Sequence, residues 1–187
     1  MRLTMIRPGL EGIPSFDLPK GFSLRWYQPG DDRCWFEIHR RADRENVITP
    51  DLFRRKFGSD EGELGRRQAY LVAPDESVIG TASAWFDREF EGGQYGRVHY
   101  VAILPEYQGR GLSKPLLAMV CARLRELGHE RAYLTTSTGR LRAIRLYLRF
   151  GFVPLIRSPE DAKALQEINS PAAAPAVTIG QCLRGHS

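Results

Sequence analysis

Little in this sequence could staple a fold or anchor it in a membrane. Cysteine is scarce: Cys34, Cys121 and Cys182 are far apart and form no CxxC pair. Neither a disulfide framework nor a zinc site is signalled, so no metal is expected, and a reducing compartment fits best. No apolar run approaches the roughly 20 residues that span a bilayer. Met1 to Lys20 carries prolines and charges where a secretory leader would carry an apolar core. A cytoplasmic protein with no membrane partner is therefore expected. There is no internal repeat. Neither GxGxxG nor GxxxxGK[ST] occurs, which weakens dinucleotide and nucleoside-triphosphate readings.

What is present is ordinary for a globular chain: 42% hydrophobic and 26% charged residues in a length of 187. That length suits one domain with tails and a sizeable core. Lys and Arg outnumber Asp and Glu by 27 to 22, a balance that suits an anionic ligand or nucleic acid without choosing between them.

The prolines and glycines of residues 1–21 read as an extended arm. Phe22 to Tyr27 alternates as a first strand. Asp31 or Asp32 is placed to cap a helix through Ala42, and Thr49-Pro50-Asp51 starts another that Gly58 stops. Strands are expected at Ala69–Ala73, Val78–Asp87 and Arg97–Leu104, the last ending at Pro105. Leu116, Leu117, Val120, Cys121, Leu124 and Leu127 share one helical face closed by Gly128. A strand at Arg131–Thr135, a helix from Leu141 to Gly151, a strand at Phe152–Ile156 and a helix capped by Ser158 follow. The tail after Asn169 is rich in Pro and Ala, with at most one further edge strand. The order gives an α/β chain, mainly antiparallel in its first half and with a parallel crossover in its second.

The chemistry concentrates after the strand Val98–Leu104. Gln108-Gly109-Arg110-Gly111-Leu112-Ser113 opens a helix. Glycines there let the backbone approach a ligand, and amides at a helix start cradle an anion such as pyrophosphate. The plain alternative is a glycine-rich turn.

The run Val101 to Ser113 resembles the acetyl-CoA-binding motif, (Gln/Arg)-x-x-Gly-x-(Gly/Ala), of the GCN5-related N-acetyltransferase superfamily. Ala143 to Phe152 resembles that family's late helix with its Tyr-x-x-x-Gly-Phe ending. Two departures stand out: Ser113 replaces Gly or Ala, and Arg140 replaces a frequent Asn. Ser113 is small and placed to cap the helix. The resemblance covers roughly Leu24 to Pro154. It implies a mixed, mainly antiparallel central sheet with helices on both faces and a splayed parallel strand pair that admits the cofactor. The domain would run over 22–157, after the 1–21 arm and before a helix and tail at 158–187.

By the same resemblance, the backbone at Ile103 and Leu104 binds the acetyl carbonyl and pantetheine. The amides of Gln108, Gly109, Arg110, Gly111, Leu112 and Ser113 bind pyrophosphate; Arg140, where this chain departs from the family's Asn, is placed to meet a phosphate instead. Tyr147 serves the leaving thiolate as acid. His99 is the candidate base: its ordinary pKa of about 6.5 suits the role, and period-two counting puts it on the face of Ile103. Glu37, Glu45 and Asp87 are weaker candidates. Cys121 reads as inert packing, which argues against an acyl-cysteine route. The arginines of the 140–149 helix read as a solvated face, which makes nucleic acid the less favoured partner.

The resulting expectation is direct acetyl transfer from acetyl-CoA to an amine of unknown identity. A non-catalytic acyl-CoA-binding module of the same fold, or a nucleic-acid-binding protein, stands as the alternative. Homodimerisation is common in the family.

Overall fold

A computed structural model describes residues 1–169 and 183–184. The elements run β1 (Arg2–Arg7), β2 (Ser23–Trp26), α1 (Asp31–Ala42), α2 (Leu52–Phe57), α3 (Glu61–Arg67), β3 (Gln68–Val72), β4 (Val78–Asp87) and β5 (Tyr95–Ile103). Then come α4 (Ser113–Glu126), β6 (Ala132–Ser137), α5 (Leu141–Arg149), β7 (Val153–Ile156), α6 (Pro159–Asn169) and β8 (Leu183–Arg184). They form one sheet of order β2-β3-β4-β5-β6-β1-β7-β8. Neighbouring strands are antiparallel except β5–β6 and β7–β8. The mixed, mainly antiparallel sheet expected from the sequence is what forms. Most of the tail lies outside the described residues, Cys182 included.

The arm differs from expectation at its start. Arg2–Arg7 is a strand between β6 and β7, pairing Leu3 with Thr136, Met5 with Leu134 and Met5 with Pro154. Leu3 and Met5 are fully buried. Both of its faces are covered, so the strand lacks the apolar–polar alternation that would mark it in sequence. The chain after β1 then runs along the protein. Arg7 donates to the carbonyl oxygens of Gly9, Glu11 and Phe150, and Phe16 packs on Phe150.

Register sorts the side chains into two layers. Ala69, Leu71, Ala82, Ala84, Val98 and Ile103 face α4, whose Leu116, Leu117, Val120, Cys121 and Leu124 are fully buried. Tyr70, on the other face, joins Trp35, Leu52, Phe53, Phe57 and Leu64 of α1–α3. Gly128 (φ 82) closes α4. Its amide meets the Arg125 carbonyl while the His129 amide meets that of Leu124, the paired bonds of a Schellman stop. Ser158 does cap α6: its hydroxyl accepts from the Asp161 amide, and Asp161 Oδ2 accepts in return from the Ser158 amide.

Other cap expectations are corrected. Gly30, at φ 95, is the N-cap of α1, with no side-chain cap. Asp31 instead accepts from the Gln28 amide and pairs with Arg25. Ser113 is the first residue of α4 after an N-cap at Leu112, and its hydroxyl makes no cap bond. The short helix α3 carries two glycines, Gly62 and Gly65, which mask it in sequence. It is held by the Asp60 side chain, which accepts from the Glu63 amide.

Candidate active site

The site starts from a fault in β5. Ser83 lies opposite His99 and Thr81 opposite Ala102, so Tyr100 and Val101 together oppose Ala82. This is a β-bulge. Tyr100 takes φ 48, which is uncommon for a bulky residue. His99 packs on Phe57, and Tyr100 on Trp35 and Phe57, so both turn to the α1–α2 layer. The extra residue inverts the count beyond it. His99 and Ile103 therefore lie on opposite faces, which corrects the period-two expectation that they share one.

On its other edge β5 pairs with β6 only at Gly96–Ala132 and Arg97–Tyr133. Beyond Arg97 the strands separate and open a cleft of about 540 Å³. Four candidates from the sequence line it together: His99, Arg140, Tyr147 and the weaker candidate Glu45. Ile103, Leu104 and the 108–113 loop do not. A larger hollow of about 840 Å³, between residues 12–18 and α4, shares no lining residue with it.

Tyr147 is buried on α5 beside Phe152. Loss of water around its phenol pushes the pKa up to about 12, although Arg140 opposes the rise. His99 is half-buried, and desolvation, helped by Arg97 and Lys56, holds its pKa well below the usual value. Both groups are therefore uncharged near neutral pH. His39, at the buried end of α1, lines the same cleft. Burial lowers its pKa to about 4, against a partial lift from Asp43. Its Nε2 is buried without a hydrogen-bond partner. Sequence marks His39 only through its place on the buried stripe Trp35, Ile38 and His39 of α1.

Arg140 sits at the N-cap of α5. Its guanidinium is 2.8 Å from Asp43 and 3.3 Å from Glu45, so the structure brings it to two carboxylates at the end of α1 rather than to the glycine loop. Asp87 is bound by the Tyr133 hydroxyl at 2.8 Å. Glu37 is exposed and paired with Arg40.

The loop after β5 has the shape of an anion cradle. Gly109 and Gly111 have φ of 80 and 81, and a Cβ added at either would meet nothing within 4 Å. Positive φ, rather than crowding, is what demands glycine. Among the described residues, the amides of Gly109, Arg110, Gly111, Leu112 and Ser113 donate to no backbone oxygen. Gln108 braces the loop, its Nε2 donating to the Ile103 carbonyl at 2.8 Å. The Arg110 guanidinium lies over Tyr107 and donates to the Glu106 carbonyl. The Leu104 amide is already taken by the Ile79 carbonyl, so it is not available to a ligand. The Cys121 thiol, fully buried, has its pKa pushed up to about 12 by desolvation, and this suits packing rather than nucleophilic attack.

The strand pair thus parts over two uncharged titratable side chains, His99 and Tyr147, and an amide-lined loop follows it. Residues 28–152 match the model of the acetyltransferase (GNAT) family, and the chain belongs to that family. Among particular relatives, a mycothiol acetyltransferase from Thermobispora bispora is 29% identical over 156 residues, 79% of this chain and 52% of that protein. One from Streptomyces coelicolor is 30% identical over 156 residues, covering 81% and 50%. The chain thus spans about half the length of these curated relatives. A GCN5-related N-acetyltransferase from Sphaerobacter thermophilus shares the fold with a TM-score of 0.67 at 22% identity, over 82% of this chain and 48% of that one. Among the described residues, no helix is long and apolar enough to cross a membrane.

Proposed function

We propose that this chain transfers the acetyl group of acetyl-CoA to an amine by direct attack. The observation that carries the reading is the parting of β5 from β6, which brings His99 and Tyr147 into one cleft. The relatives' names, all acetyltransferases, support the reaction class. The amides from Gly109 to Ser113 would hold the pyrophosphate, and the backbone at the Tyr100–Val101 bulge and Ile103 would meet the thioester carbonyl. That arrangement stabilises charge developing on the carbonyl oxygen.

In this scheme the amine nitrogen bonds to the carbonyl carbon and gives its proton to neutral His99, directly or through water. The carbon–sulfur bond then breaks and leaves a thiolate. A phenol with pKa near 12 stays protonated beside a thiolate, since an alkyl thiol such as cysteine is more acidic, at about 8.5. Tyr147 thus acts first as a hydrogen-bond donor to sulfur, and the proton lost by the amine balances the one the thiol regains.

The test is thiol release from acetyl-CoA across a panel of amines, with wild type and Tyr147→Phe. Turnover is expected to fall about 10- to 1,000-fold in the variant, with acetyl-CoA affinity within about twofold of wild type. Equal turnover would remove Tyr147 from the chemistry. Tight acetyl-CoA binding with no turnover on any amine would favour a non-catalytic acyl-CoA-binding module.

A further inference from the structure

The sheet face that carries His99 continues beyond the cleft. Pairings of Arg97 with Tyr133, Tyr133 with Ile6, Thr135 with Thr4 and Ser137 with Arg2 put these side chains on the same face. Of these, Arg2, Thr4, Arg97, Tyr133 and Thr135 floor a second hollow of about 630 Å³. The two hollows share Met1, Arg2, Arg97 and Thr135, so together they form one continuous surface leading away from His99.

The charges on this surface are unequally satisfied. Asp87 accepts from the Tyr133 hydroxyl and the Glu89 amide. Asp161 accepts from the amides of Arg157 and Ser158. Arg157 pairs with Glu91 at 2.8 Å. Arg97 is different. Its guanidinium lies 5.3 Å from the centre of the Tyr133 ring, its Nε is buried without a hydrogen-bond partner, and among the described residues it enters no ion pair. Arg2, at the rim, has no ion pair among the described residues either. Glu160, exposed at the same rim, is likewise without an ion pair among the described residues, so the uncommitted charge set into the sheet face itself is positive.

A buried cationic donor left without an acceptor is costly. The planar fork of a guanidinium matches a carboxylate in two parallel hydrogen bonds. Arg97 stands two residues before His99 on the same face, roughly 7 Å along the strand. We infer that Arg97, helped by Arg2, binds a carboxylate on the acceptor, so that the amine acetylated here belongs to an amino acid or another amine bearing a carboxylate. This rests on the proposed acetyl transfer and adds the class of its acceptor.

The experiment compares paired acceptors that differ only in the anion: β-alanine against β-alaninamide, and 4-aminobutyrate against its amide. Each is assayed by thiol release from acetyl-CoA with wild type, Arg97→Gln and Arg97→Lys. Wild type should show a KM for the carboxylate about 10- to 100-fold below that for the amide, the size expected for a charge-assisted bond. Arg97→Gln should erase that preference by raising the carboxylate KM, while the amide KM and the acetyl-CoA KM stay within about twofold. Arg97→Lys should restore part of it. Activity on the amide reports in the same assay that the variant has folded. Equal use of both partners by wild type, a preference that survives Arg97→Gln, or acetylation confined to amines without an anion overturns the inference while leaving acetyl transfer standing. Thiol release with no amine at all overturns the transfer reading, and this inference with it.

Discussion

At the scale of the residue, His39 couples the site to stability. Its folded pKa is about 4 because its ring is buried between Trp35 and Tyr100. The unfolded chain offers an ordinary histidine near about 6.5. Between those values the unfolded state binds a proton that the folded state refuses, so stability is full above about 6.5 and is lost as pH falls toward 4. From pH 7 to pH 5 the loss from His39 alone should be about 2 kcal/mol. Denaturant unfolding at both pH values, on wild type and His39→Phe, checks it: the phenyl ring fills the same aromatic niche without titrating, so the variant should lose about 2 kcal/mol less. Equal losses would remove His39 from the acid sensitivity. What sequence reveals at this scale is uneven. Tyr147 and His99, which both line the cleft, carry a local signal: one precedes Gly151-Phe152 by four residues and the other lies on the strand that leads into the glycine loop. His39 and Arg97 have no such offset. Their roles depend on which side of the cleft they reach, and α1 and β5 meet there only after the sheet has formed.

At the scale of the element, the loop and helix after β5 are written locally and the bulge within β5 is not. Gly109, Gly111, the apolar stripe of α4 and the Gly128 stop all act within a few residues of one another. Tyr100 gives no such signal, because a tyrosine at φ 48 is imposed by the register of β5 against β4 and by its ring contacts. One unreadable residue is enough to invert the faces of everything after it. The loop itself makes a separable prediction. Gly111→Ala adds a methyl into open space, so its cost is conformational, about 1 kcal/mol or somewhat more. If these amides hold pyrophosphate, the KM for acetyl-CoA should rise several-fold while the KM for the amine changes little. Parallel measurement of both constants, with a thermal melt, decides it. An acetyl-CoA KM that stays at the wild-type value would leave the loop a plain turn.

At the scale of the whole molecule, the first strand determines whether the sheet is one piece. Among the described residues β1 lies between β6 and β7 in the strand order, so without it β6, which borders the cleft, becomes an edge. Exposed edges are poorly defined and prone to foreign pairing. The same strand carries Arg2 and Thr4 on the surface beyond the cleft and the fully buried Leu3 and Met5 on the opposite side. Its sequence neighbours, the prolines of the arm, suggest an appendage; its spatial neighbours, about 130 residues away in the chain, make it core. Met5→Ala tests which description holds. A fully buried methionine truncated in a packed sheet should cost about 2–5 kcal/mol in denaturant unfolding. Phe16→Ala, in the exposed part of the arm, should cost much less than Met5→Ala in the same experiment. A loss below about 1 kcal/mol at Met5 would mean that the sheet closes without β1. Since α6 also rests on β1 and β7, a real loss at Met5 should loosen the Arg157–Asp161 end of the second hollow before it reaches Tyr147, and hydrogen exchange across β6, β7 and α5 would show that order.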